Sequence, residues 1–172
     1  MKQPLAFRMR PKNTNEILGQ GHILGEGKFI TNMLKNNSLC SMILFGKPGT
    51  GKTSLALAIA SEMNLKHKVL NAVTCSKKDI EAAIFEASFE NSFLLIIDEV
   101  HRLNKNIQDI LLPHIENGTI ILIGATTANP YHSINNAILS RTHLVEIKPL
   151  NNDDIVYAIN NAITSKDGLD NK

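Results

Sequence analysis

The residues Gly46-Lys47-Pro48-Gly49-Thr50-Gly51-Lys52-Thr53 fit the spacing G-x-x-x-x-G-K-[ST] at every position. Glycines at 46, 49 and 51 let the backbone turn tightly enough to aim successive N–H groups at phosphate oxygens. In such a loop Lys52 reaches the β- and γ-phosphates and the Thr53 hydroxyl ligates Mg²⁺. Together with Ser54, the stretch is a candidate phosphate-binding site. About 45 residues further on, the apolar run Phe93-Leu94-Leu95-Ile96-Ile97 ends in Asp98-Glu99. Asp98 is the candidate to share Mg²⁺ with Thr53, and Glu99 to polarise an attacking water. The second carboxylate argues for hydrolysis rather than for binding alone. A nucleoside triphosphate with Mg²⁺ is therefore the expected ligand.

Two further features are open to more than one reading. Ile120-Ile121-Leu122-Ile123 leads into Gly124-Ala125-Thr126-Thr127. A polar side chain there would touch the γ-phosphate or the lytic water, but a threonine pair also simply closes a strand. Arg141 follows a short helical stretch, where it would stabilise a transferred phosphoryl group in a neighbouring site. As a pattern alone, a surface salt bridge is the commoner role. His22, His67, His101, His114, His132 and His143 lack zinc-helix spacing with a carboxylate and read as structural or surface residues. His101 stands close to Asp98-Glu99.

These residues need particular elements to hold them. An apolar run (Met42–Phe45) precedes the phosphate loop and a helical one (Ser54–Ala60) follows it, so the helix starting beside Lys52 adds its positive dipole end. Strands are expected at about 41–45, 69–73, 93–97, 120–123 and 144–147. Helical patterns cover 27–36, a stretch ending near Met63, 79–89 (capped near Ser76), 105–115 (stopped by Gly118) and 152–164. Alternating strands and helices of these lengths imply an α/β fold, with a parallel sheet covered on both faces. Residues 1–25, with Pro4, Pro11, Gly19, Gly21 and Gly25, read as an ordered but irregular arm.

The chain has 172 residues, enough for one α/β domain and the start of a second, and a net charge of +2. That charge is too small to argue nucleic-acid binding by itself, although Arg8-Arg10-Lys12, Lys66-His67-Lys68 and Lys77-Lys78 form small basic clusters. No apolar run reaches membrane-spanning length, and Met1-Lys2-Gln3-Pro4 lacks the apolar segment of a secretory signal. Cys40 and Cys75 have no metal-ligand spacing and are expected as reduced thiols in a cytoplasmic protein.

Gathered together, the motifs resemble the base domain of a clamp-loader-type AAA+ ATPase. Several segments unrelated to ATP chemistry narrow the likeness to the replication-associated recombination protein A family. They include Pro4-Leu5-Ala6-Phe7-Arg8-Met9-Arg10-Pro11, Ile17-Leu18-Gly19-Gln20 and Asp98-Glu99-Val100-His101-Arg102-Leu103-Asn104-Lys105. Leu111-Leu112-Pro113-His114, Asn129-Pro130, Leu139-Ser140-Arg141 and Lys148-Pro149-Leu150 continue the likeness, which is weakest over 64–92.

The resemblance implies a P-loop NTPase three-layer sandwich with a five-stranded parallel sheet of order 5-1-4-3-2. It implies an arm at 1–25, an AAA+ base domain at 26–150 and the first helix of a helical lid at 151–172. It implies ATP hydrolysis with Mg²⁺, with Thr127 as the sensor, Arg141 as the arginine finger of an adjacent subunit, and Ile17 and Leu18 against the adenine. Action on DNA at stalled or damaged replication forks follows, in a homo-oligomer expected to be a tetramer. A single-stranded-DNA-binding protein is the expected partner, and the location is cytoplasmic and nucleoid-associated. The second sensor arginine and the C-terminal oligomerisation domain are expected beyond this segment. Lys47, Gly21 and Ala128 depart from the family's usual Pro, Glu and Glu. None of these removes a catalytic atom. A clamp-loader subunit or Holliday-junction branch-migration motor is a second reading, and a nucleotide-gated assembly module with negligible hydrolysis is a third.

Overall fold

Three strands, β1 (Met42–Phe45), β3 (Phe93–Asp98) and β4 (Ile121–Thr126), form the buried centre of an all-parallel sheet. β2 (Lys66–Asn71) and β5 (His143–Glu146) are its edges, giving the order β2-β3-β4-β1-β5. This is the expected 5-1-4-3-2 order read from the other edge. The computed structural model describes residues 3–169.

Side chains alternate across a strand, so each central strand feeds two cores. Ile43, Leu95, Ile97 and Leu122 pack on one face with Ile80 and Ala83 of α5 (Lys77–Ala87) and Leu111 of α6 (Lys105–Glu116). Met42, Leu44, Leu94, Ile96 and Ile123 pack on the other with Ile30 of α3 (Phe29–Lys35) and with α4 (Lys52–Glu62). α4 buries Leu55, Ala56, Ala58, Ile59 and Ala60, which is why its sequence is apolar nearly all round. Each large aliphatic side chain so buried contributes about 1.5–3 kcal/mol. No helix among the described residues is long and apolar enough to cross a membrane. Cys40 and Cys75 are free and partly buried.

Three strands differ in extent from the sequence expectation. β2 begins at Lys66 rather than residue 69, because an edge strand is exposed and needs no apolar run. Its Lys66 and Lys68 instead pair with Glu90 (2.9 Å) and Glu86 (2.6 Å). β4 starts at Ile121 and runs on to Thr126, since Leu44 and Phe45 pair with Ala125 and Thr126. The small Gly124-Ala125 step disguised that continuation. β5 lies one residue earlier than expected, at His143–Glu146.

The irregular arm contains short helices α1 (Leu5–Arg8) and α2 (Gly21–Leu24) and a 3₁₀ turn (Thr14–Glu16). Polar contacts hold it to the sheet layer. Thr14 donates its N–H and hydroxyl to Glu62 Oε2 at 3.0 and 2.6 Å. Buried Gln20 donates to the Lys148 carbonyl at 2.8 Å and accepts the Lys148 N–H at 3.0 Å. The short helices α7 (Pro130–Ser133) and α8 (Asn136–Leu139) follow β4, and α9 (Asn152–Thr164) follows β5.

Two long helices begin on a capping box, Ser76 with Asp79 for α5, where a cap was expected, and Asn151 with Asp154 for α9. The Ser76 backbone N–H and hydroxyl hold the Asp79 carboxyl below the usual carboxylate range. Ser76→Ala removes this start. The expected loss is about 1 kcal/mol, read as a fall of about 2–4 °C in Tm. A Tm unchanged near neutral pH would contradict the cap.

Candidate nucleoside triphosphate site

The phosphate loop lies between the end of β1 and α4, and two of its glycines are required by geometry. Gly46 has φ +155°, and a Cβ there would stand 2.2 Å from the Ile147 carbonyl oxygen. The loop therefore leaves β1 against the chain that follows β5. Gly51, at φ +89° in the left-handed region, is the N-cap from which α4 starts. The N–H groups of the first turn of α4 consequently have no partner within the helix and open toward the loop.

A cleft of about 350 Å³ is lined by Pro48, Gly49, Gly51, Lys52, Thr53, Ser54, Asp98, Glu99 and Thr127, together with Arg10 from the arm. Two segments 46 positions apart thus share one cavity with the end of β4. The reason is parallel pairing, which brings the carboxyl ends of β1, β3 and β4 to the same edge of the sheet. Gly46 and Thr50 support the loop from outside the cleft lining. The Gly46 carbonyl accepts from Lys52 Nζ at 3.0 Å, and Thr50 donates to the Lys47 carbonyl at 2.9 Å.

Lys52 is nearly buried and folds back on its own loop, donating also to the Lys47 carbonyl at 2.8 Å. Burial pushes its amine below the ordinary lysine range, and the carboxylates of Glu99 and Asp98 oppose that shift. Asp98, which lines the cleft, accepts the Glu99 N–H on Oδ1 at 3.0 Å.

Glu99 sits in the left-handed region at φ +52°, ψ +40°, uncommon for a non-glycine residue. This kink ends β3 and starts the 3₁₀ turn Val100–Arg102. Glu99 Oε2 accepts from the Thr127 hydroxyl at 3.3 Å and lies 3.3 Å from His101 Nδ1. His101 Nδ1 is in turn 2.9 Å from the hydroxyl of fully buried Thr126, which accepts the Ala128 N–H at 3.1 Å.

Three further expected site residues lie outside this cleft. Arg141 bonds Glu116 at 2.5 Å and donates to the Ala137 carbonyl at 2.8 Å, and it does not line the cleft. Ile17 and Leu18 do not line one common surface. Backbone at Ile17 is extended (φ −77°, ψ +120°), so consecutive side chains point to opposite sides. Ile17 lines a cavity of about 630 Å³ beside Glu62 and Met63. Leu18 lines another of about 310 Å³ with Met9, Arg10, Tyr157 and Asn161. Arg10 borders both this second cavity and the phosphate cleft, its guanidinium 5.5 Å from the centroid of Phe7.

Sequence reasoning missed Arg10, His101 and Thr126. The Arg8-Arg10-Lys12 cluster was visible, but nothing local pointed one of its members into the cleft. His101 carried only its closeness to Asp98-Glu99, and Thr126 only its place in a threonine pair. Gly46→Ala should part the ends of β1 and β5, with an expected stability loss above about 3 kcal/mol and loss of nucleotide binding. Unfolding titration checks this, and stability within about 0.5 kcal/mol of the parent would refute the close approach.

The chain is similar to known proteins along most of its length. The domain family described as the Holliday junction DNA helicase RuvB P-loop domain matches residues 9–145. Replication-associated recombination protein A of Bacillus subtilis is 52% identical over 161 residues, covering 94% of this chain and 38% of the relative. The Escherichia coli K12 protein of the same name is 45% identical over 168 residues, again covering 38% of its own length. The chain thus spans well under half of these relatives. Among solved structures, the Thermotoga maritima RuvB Holliday junction branch migration motor superposes with a TM-score of 0.76 at 27% identity, over 91% of this chain and 54% of that one. The chain belongs to the RuvB P-loop domain family of AAA+ proteins, and it is similar to a 38% share of the replication-associated recombination protein A sequences.

Proposed function

We propose that this chain is the ATP-binding and ATP-hydrolysing module of a DNA replication and recombination protein. The observation that carries the reading is the single cleft shared by the phosphate loop, Asp98, Glu99 and Thr127. Its donor set fits a nucleotide-bound Mg²⁺. The carboxylate of Asp98 and the hydroxyl of Thr53 are among the groups lining the cleft, and the described residues contain no group of three or more His, Cys, Asp and Glu that would cage a metal alone. Mg²⁺ of this kind is held by one or two carboxylates plus substrate phosphates, and when bound it neutralises charge on the phosphate oxygens.

In this reading the loop N–H groups and the start of α4 bind the phosphates. Lys52 exchanges the Gly46 and Lys47 carbonyls for phosphate oxygens. Glu99 accepts a proton from the attacking water at its carboxylate, and Thr127 restrains that carboxylate while sensing the γ-phosphate. The base lies in the cavity of Leu18, Met9 and Tyr157 that Arg10 joins to the cleft. Ile17 supports it from the other side of the arm. Arg141, exposed and remote from its own cleft, serves a neighbouring copy in a homo-oligomer.

We assign 1–25 to an arm, 26–150 to the base domain and 151–172 to the first helix of a lid. The relatives are named for replication-associated recombination, and the action proposed for the full protein is at stalled or damaged replication forks, on fork or single-strand/duplex junction DNA. A tetramer working with a single-stranded-DNA-binding protein in the cytoplasm, on the nucleoid, completes the proposal. The similarity to a branch migration motor keeps DNA translocation as the second reading.

The test is ATP hydrolysis with Mg²⁺ over a range of protein concentrations, beside Glu99→Gln. Glu99→Gln should lower kcat at least about 100-fold while nucleotide still binds. Equal rates would sink the enzymatic reading. A rate per subunit that rises with concentration is expected if Arg141 completes a neighbour's site, and Arg141→Ala should abolish that rise.

A further inference from the structure

We infer that His101 is a positioning residue that ties the Glu99 carboxylate to the end of β4 through the buried Thr126 hydroxyl. The inference rests on the hydrolytic reading of Glu99 and adds a residue to that site. Its basis is a hydrogen-bond count around one nitrogen. His101 Nδ1 lies 2.9 Å from Thr126 Oγ1 and 3.3 Å from Glu99 Oε2. Thr126 Oγ1 already accepts the Ala128 N–H at 3.1 Å, and the Ala128 carbonyl lies 3.4 Å from the same oxygen.

The charge of Glu99 selects between the two neutral arrangements of hydrogens. With the proton on Nδ1, the ring donates to Thr126 Oγ1 and turns its positive N–H edge toward Glu99 Oε2, 3.3 Å away, and the Thr126 hydroxyl donates to the Ala128 carbonyl. With Nδ1 bare, its lone pair would oppose a carboxylate oxygen at 3.3 Å. The environment therefore selects the Nδ1–H tautomer.

The consequence is orientation. Glu99 leaves β3 through a left-handed kink, so its backbone alone does not fix the side chain. Thr127 donates to Oε2 from the end of β4, and His101 Nδ1 stands 3.3 Å from the same oxygen on the 3₁₀ turn. Two restraints on one oxygen turn the carboxylate about that anchor and leave Oε1 for the attacking water. Thr126, fully buried in β4, is the fixed point of the chain of contacts. A displacement of the strand end that carries the γ-phosphate sensor would thus reach Glu99 through His101.

Two readouts test this. In protein labelled with ¹⁵N-histidine, at a pH where the ring is neutral, His101 should be the Nδ1–H tautomer, assigned by the signal missing in His101→Asn. Glu99→Ala should move it toward Nε2–H, since the Thr126 hydroxyl then donates to a bare Nδ1. This readout needs no turnover. An Nε2–H tautomer in the parent protein overturns the inference. In the kinetic arm, His101→Ala should lower kcat about tenfold with nucleotide affinity within about twofold. His101→Asn, whose amide N–H occupies the place of Nδ1–H, should recover most of the loss. An unchanged or raised kcat in His101→Ala also overturns it. If Glu99→Gln leaves hydrolysis intact, the hydrolytic reading fails. If Glu99→Gln abolishes hydrolysis and His101→Ala does nothing, only the role of His101 falls.

Discussion

Parallel pairing of β1, β3 and β4 is the constraint on which everything else in this molecule depends. In register, Phe45 stands opposite Thr126, and Ile97 opposite Gly124. One residue past those pairs the three strands deliver Gly46, Asp98 and Thr127 to a common edge. A slip of one residue in any strand would turn its core side chains to the wrong face. The two apolar cores that hold the register therefore also hold the site. Burial of Ile43, Leu95, Ile97 and Leu122 on one side, and of Met42, Leu44, Ile96 and Ile123 on the other, fixes where the polar ends emerge.

What emerges is strained in two places, and both strains have a neighbour that explains them. Gly46 is pressed against the Ile147 carbonyl, so the loop starts from a backbone contact between β1 and the segment after β5. Glu99 takes a left-handed conformation that redirects the chain from strand into the 3₁₀ turn, and Val100 then packs over the strand at Gly124. A Cβ at Gly124 would stand 2.7 Å from Ile43 and 3.0 Å from Val100. The missing side chain is what lets this turn settle on β4 and bring His101 to Thr126.

The arm and the segment after α9 form a second layer of organisation. Arg8 donates to the carbonyls of Asp167 and Gly168 at 2.6 and 2.8 Å, and Lys12 pairs with Asp167 at 3.0 Å. The exposed Lys12–Asp167 pair adds little stability in itself. Its effect is geometric, since Arg8, Lys12 and Asp167 all line the cavity of Leu18 and Tyr157, which shares Arg10 with the phosphate cleft. Arg10 borders both spaces from the arm between them.

The sequence by itself determined the phosphate loop, the carboxylate pair and the α/β class. Each depends on neighbours within a few residues: glycine spacing, an apolar run ending in Asp98-Glu99, and a cap at Ser76. It also carried the family likeness, since motifs such as Phe7-Arg8-Met9-Arg10-Pro11 are readable without a fold. Edge strand β2 was displaced in the reading because its residues alternate into solvent, and β4 was cut short because Gly124 and Ala125 carry little strand signal. Only the tertiary structure decided that Ile17 and Leu18 part company, that Arg141 pairs with Glu116 outside its own cleft, that Arg10 lines the cleft, and that His101 stands between Glu99 and Thr126. Those facts are contacts between residues far apart in the chain. They follow from strand register and a left-handed kink, which no local pattern of residue types encodes.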